Sequence, residues 1–131
     1  MELLQMESIV TTQLKVRVPR LLNNAYPKIS FTNEISDKQP DFPNVYIHEL
    51  EPSEVGNSLP NQIIHAIRDT IQVDVTTNTT KTDAHKVAIA CVNALKTLSY
   101  SVTMLPVYTK NNNIHRYIIR ANRVIANGDT F

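Results

Sequence analysis

The sequence predicts an α+β domain: a mainly antiparallel sheet with two helices packed on one face and long loops between the strands. Three patterns point there. Met6, Ile9, Val10 and Leu14 recur at helical spacing, as do Ala84, Val87, Ala88, Cys91, Leu95 and Leu98. Ile71, Val73 and Val75 alternate with Gln72, Asp74 and Thr76, the period of a half-buried strand. Two β-prone runs, 101–109 and 114–125, flank Lys-Asn-Asn-Asn and read as an antiparallel hairpin.

In chain order, the first helix occupies about residues 2–23. Pro19 is expected to kink or break it, because proline lacks an N–H and clashes with the preceding turn. Asn23, Asn24 and Pro27 end it, and Lys-Ile-Ser-Phe-Thr follows as a short β-prone segment. Residues 33–40 form a polar loop. Phe42-Pro43 then leads into a strand over Val45–Leu50 with Val45 and Ile47 on one face. Residues 51–62, with two prolines and Gly56, read as a long exposed excursion before the strand over 67–75. The Thr-rich run 76–83 supplies helix-capping residues. Asp83 and Lys96 sit where a carboxylate and an ammonium complement the dipole of the second helix. The order is helix, strand, strand, strand, helix, strand, strand, in one domain over 1–131 with no internal repeat.

Composition narrows the function classes. A chain of 131 residues with 42% hydrophobic and 19% charged residues suits one folded domain. Only 2 glycines argue against a Gly-rich phosphate loop or a Gly-x-Ser-x-Gly elbow. The net charge of +1 gives no overall basic surplus for gripping nucleic-acid backbone. A single cysteine, Cys91, allows neither an internal disulfide nor a cysteine-based zinc site, and suits a reducing compartment. The opening segment carries Glu2 and Glu7 and no basic stretch, so it does not read as a signal peptide. No apolar run reaches the ~20 residues of a membrane span. The expectation is a soluble protein made in the cytoplasm.

Candidate chemistry is sparse. His48 and Glu49 are strand neighbours and therefore point to opposite faces; a solvated pair is the plainer reading. His65, His85 and His115 fall on different elements without metal-ligand spacing. Cys91 lies on an apolar helical stripe, where it packs as a small hydrophobe. Arg116, Arg120 and Arg123, with His115 and Tyr117 among them, make the one basic concentration. Arg116 and Arg120 share one strand face while Tyr117, Ile119 and Ala121 share the other. With no stacking aromatic on the arginine face, a solvated or subunit-contacting surface is preferred to single-strand nucleic-acid binding. The residues give no catalytic constellation, cofactor site or metal site. A small enzyme built on His48, Glu49 and His65 remains the least supported alternative.

Phe42-Pro43-x-Val45-x-Ile47, the long loop, Thr70–Thr76, the helix over 83–98 and the closing Ile114-His-Arg-Tyr-Ile-Ile-Arg-Ala-Asn-Arg-Val-Ile come in a set order. That order, over nearly the whole chain, resembles the tail-terminator proteins of long-tailed, non-contractile bacteriophages, including the lambda type, and related neck proteins. The resemblance implies a hexameric ring that caps the tail tube, ends its polymerisation and docks the head connector, with DNA passing through the lumen. It implies a virion location after assembly in the host cytoplasm, no membrane partner, no cofactor and no catalysis. Carried over residue by residue, the match falls on Phe42, Pro43, Val45, Ile47, Ile71, Val73, Val75, Tyr117 and Arg120, and on Ala84, Val87, Ala88 and Leu95. Pro19 and the Thr-rich entry to the second helix depart from the pattern. A ring subunit needs loops that reach its neighbours, so 33–40, 51–66 and 109–113 are the candidate contact segments. Glu51, Glu54, Asn57, Lys110 and Asn112, with Arg116 and Arg120, are the candidate contact residues. A head-completion protein at the head–tail joint is the nearest alternative, and a nucleic-acid-binding module the next.

Overall fold

The computed structural model describes residues 6–34, 41–50, 53–54 and 66–126. Helix α1 covers Met6–Leu21 and helix α2 covers Lys81–Thr97. The strands are β1 (Ser30–Thr32), β2 (Asn44–Glu49), β3 (Ser53–Glu54), β4 (Ala66–Thr77), β5 (Ser101–Asn111) and β6 (Ile114–Ala126). They form one open sheet in the order β1-β2-β4-β6-β5, with β3 beside the start of β4. Every pairing is antiparallel except β1 with β2. This is the α+β architecture the sequence predicts, with one additional short strand. β3 lies inside the segment expected to be an excursion, and the rest of that segment, like 35–40, falls outside the described residues.

Both helices lie on the same face. Val10, Leu14 and Val18 form one buried line along α1, at i, i+4 and i+8. They meet Val45 and Ile47 of β2, Ile71, Val73 and Val75 of β4, and Tyr117, Ile119 and Ala121 of β6 in a single core. From α2 and its C-cap Leu98 come Ala84, Val87, Ala88, Cys91, Leu95 and Leu98, joined by Ala90, Val92 and Ala94. The alanines let the helix axis approach the sheet closely.

The expected break at Pro19 does not occur. The helix runs through it for two more residues, since Pro19 sits in the last turn. The carbonyl that loses its partner belongs to Lys15, an exposed residue on the water side of the helix. Asn23 and Asn24, at φ 52° and 57°, then turn the chain. The α2 entry follows the sequence: Thr80 caps the helix, its hydroxyl accepting from the Asp83 N–H at 3.1 Å. The hairpin turn is Asn112-Asn113, shorter than expected because β5 continues through Lys110 and Asn111. Among the described residues, left-handed backbone falls to Asn23, Asn24, Ser99 and Asn112.

Candidate functional site

The face of the sheet away from the helices carries the densest polar arrangement. Register places Tyr46, Asp74 and Ile118 in one transverse row and His48, Gln72 and Arg120 in the next. Period-two alternation sends all six side chains, with Arg116, to the open face. Arg120 donates through Nε to Gln72 Oε1 at 3.0 Å, and Gln72 donates through Nε2 to Asp74 Oδ1 at 3.0 Å. Arg116 reaches diagonally and donates to Asp74 Oδ2 at 2.5 Å. His48 Nε2 lies 3.9 Å from the same oxygen. The Tyr46 and His48 rings stack, with centroids 4.9 Å apart and planes 16° from parallel.

Three expectations are corrected here. Gln72 and Asp74 were expected to face water, but both are buried, because long side chains from β6 and rings from β2 fold over them. The arginine face was expected to lack stacking aromatics; Tyr46 and His48 stand on it, brought there by a strand distant in sequence. Nor are His48 and Glu49 a solvated pair. They do point apart, but Nε2 of the one and Oε1 of the other are buried atoms.

Arg123 leaves this face. It lies on the helix side and donates to the carbonyl of Leu98 at 3.0 Å, at the end of α2. Beside it, Tyr100 donates to Asp69 Oδ2 at 2.6 Å, and Asp69 is fully buried. Burial, and then this bond, push the Tyr100 hydroxyl well above the ordinary tyrosine range. Sequence reading passed over the pair: Asp69 and Tyr100 are 31 positions apart. A carboxylate at an inward position of an alternating strand was the available signal.

At the other end of the helix layer, Asp83 accepts from Thr79 Oγ1 at 2.6 Å and from the Tyr26 hydroxyl at 2.9 Å. The Thr79 bond is the main cause that holds the Asp83 carboxyl below its usual range. His85 and His115, scattered in sequence, converge on one aromatic cluster. His115 Nδ1 is 2.8 Å from the Tyr108 hydroxyl, His85 meets Tyr117 edge-on, and the Lys81 ammonium lies 4.4 Å above the Tyr108 ring. No three His, Cys, Asp or Glu side chains are grouped as a metal site among the described residues. Cys91 is fully buried, and burial pushes its thiol up to about 12.

Of the candidate contact residues, Lys110 and Asn112 are exposed at the hairpin tip, Arg120 is exposed and Arg116 is partly so. Glu54 lies on β3, while Glu51, Asn57 and His65 fall outside the described residues. Val45, Ile47, Ile71, Val73, Val75 and Tyr117 are core residues, Pro43 is buried and Phe42 is partly exposed. Exposed apolar side chains on the sheet include Leu105 (69%) and Val107 (46%) of the outer strand β5, and Val124 (45%) near the end of β6. Among the described residues, no helix is long and apolar enough to cross a membrane.

No protein-family model matches the chain, and no curated protein matches it. Among solved structures, it overlaps a chain of the "Virion of native gene transfer agent (GTA) particle". The TM-score is 0.49 at 12% identity, over 89% of this chain and 92% of that one.

Proposed function

We propose that this chain is a structural subunit of a tailed-phage-type virion, forming a ring that caps the tail tube, ends its growth and docks the head connector. The reading rests on the ordered set of segments that resembles the tail terminators. The observation that carries it in three dimensions is an open sheet that, among the described residues, is covered by helices on one face only and has two outer strands that pair on one side each. Such a subunit is held rigid by its core and offers its uncovered face and edges to neighbours. The role is mechanical, not catalytic, and DNA passes the ring without specific binding. Within the arginine face, the carboxylate of Asp74 neutralises Arg116, and Gln72 occupies Arg120. That arrangement suits a protein contact better than a phosphate track.

Deleting the protein and imaging the particles tests the proposal. Overlong or unjoined tails are expected. DNA-leaking heads with normal tails would instead assign it to head completion, and unaltered particles would remove it from the virion.

One observation favours a second reading. The stacked Tyr46–His48 pair shares its face with Arg116 and Arg120, the combination of ring and cation that binds single strands. On this reading, affinity for an oligonucleotide falls steeply with salt and with Tyr46→Ala. A salt-independent or absent signal discards it.

A further inference from the structure

The two edges of the sheet match each other. Across its width, three transverse rows run without a break: Ser30–Asn44–Thr76–Arg116–Thr109, Phe31–Val45–Val75–Tyr117–Tyr108 and Thr32–Tyr46–Asp74–Ile118–Val107. The whole of β1 therefore stands at the same height as Val107–Thr109 of β5. The outer sides of both strands pair with no strand among the described residues. Following the pairings from edge to edge, β1 runs antiparallel to β5.

The edges are not equally open along their length. The register of β5 shifts between Val102 and Met104 and again between Met104 and Val107, and Pro106 in that stretch has no N–H to offer. Bulges and proline are the devices that blunt an edge strand. From Val107 to Asn111 the register is unbroken. What remains regular on β5 is the part level with β1.

We propose that this lower half of β5 pairs with β1 of a second copy of this chain, head to tail. The inference builds on the ring reading above and says which surfaces make the ring. Side-chain parity supports the register that sets Tyr108 opposite Phe31 of the next copy. Both pack against the helix-side core in their own subunit, so the aromatic pair continues that core across the junction. Thr109 then meets Ser30, and Val107 meets Thr32, on the open face. That contact covers one of the most exposed apolar side chains. A slip of one residue would put aromatics against hydroxyls and turn every side chain to the wrong face. Charge agrees as well. Exposed Lys81 and Lys110 flank the β5 half, whereas among the described residues exposed Glu34 and Asp41 flank β1 with one base, Lys28. Because the two edges are different surfaces, the contact is heterologous. It closes into a ring when the rotation between copies closes.

Site-directed cross-linking tests this. Ser30→Cys and Thr109→Cys chains, mixed and joined with a short bis-maleimide, are expected to give a covalent heterodimer and nothing larger. The chain carrying both substitutions should give a ladder up to the full ring. Cys91 stays silent because it is buried. The uncross-linked oligomer, sized by native mass spectrometry, should dissociate progressively as salt is raised from about 0.05 to 0.5 M. Rings that form normally but cross-link at neither position would overturn the pairing and leave the ring reading standing. A protein that stays monomeric at all concentrations, and on tail tubes, would overturn both.

Discussion

Replacing Tyr100 by Phe removes one oxygen atom from a site that cannot reach water. The lost hydroxyl donates to Asp69 Oδ2 at 2.6 Å, and Asp69 is fully buried with Oδ1 unpartnered among the described residues. The substitution takes that hydroxyl donor away from the buried carboxylate. A hydrogen bond to a charged group is worth about 1.5–3 kcal/mol, and burial puts this one in the upper half of the range, about 2.5 kcal/mol. The unfolding entropy of a chain of 131 residues is about 0.28 kcal/mol/K, which makes the expected fall in Tm about 9 °C. Tyr26→Phe is the control. Its hydroxyl also donates to a carboxylate, Asp83, at 2.9 Å, but Asp83 keeps Thr79 and lies nearer the solvent. That variant should lose no more than about 1 kcal/mol, or roughly 4 °C. Differential scanning calorimetry of both variants decides the matter, and a Tyr100→Phe loss no larger than that of Tyr26→Phe refutes the reasoning. The pH dependence follows from the direction of the shift. Tyr100 titrates higher when folded than its ordinary value of 10.0, so its contribution is complete below that pH and is lost as pH rises beyond it. Stability should therefore fall more steeply above about pH 10 in the parent than in Tyr100→Phe.

Four other outcomes are expected. Thr80→Ala, which removes the α2 cap, should cost about 1 kcal/mol in urea titrations. Since Asp83 titrates below its ordinary 3.8, its contribution should be present above that pH, disappear as pH falls through the lowered value, and be absent in Asp83→Asn. Ser99→Gly should raise stability by about 1 kcal/mol, because Ser99 holds φ 66°, a left-handed conformation that strains any side chain with a Cβ. Cys91 should resist a thiol reagent at pH 8 in the folded protein and react at once in denaturant, as its burial and raised thiol pKa require.

The readings that succeeded were local. Helix periodicity picked out Val10 and Leu14, and all six residues of the α2 stripe are buried. Alternation placed Ile71, Val73 and Val75 on the core face, and Thr80 was legible as part of a capping run. The readings that failed concerned neighbours remote in sequence. One local reading also fell short: Val18, four residues after Leu14 on the same buried line, was not among the positions read at helical spacing, and the helix expected to kink or break at Pro19 runs on to Leu21.

What the sequence by itself determined is the class of element at each position and which side of each element is apolar. Those follow from 3.6- and 2-residue periods and from capping chemistry, which act within a turn or two of the chain. The tertiary structure alone decided what the polar sides meet. Asp74 became a buried acceptor only when β6 brought Arg116 beside it, and Tyr46 joined the arginine face only through β4 between them. It also set β1 level with the regular half of β5, from segments more than 70 residues apart in the chain. Register across a sheet is a sum over several strand pairings, fixed by packing of the whole core, and no local pattern carries it.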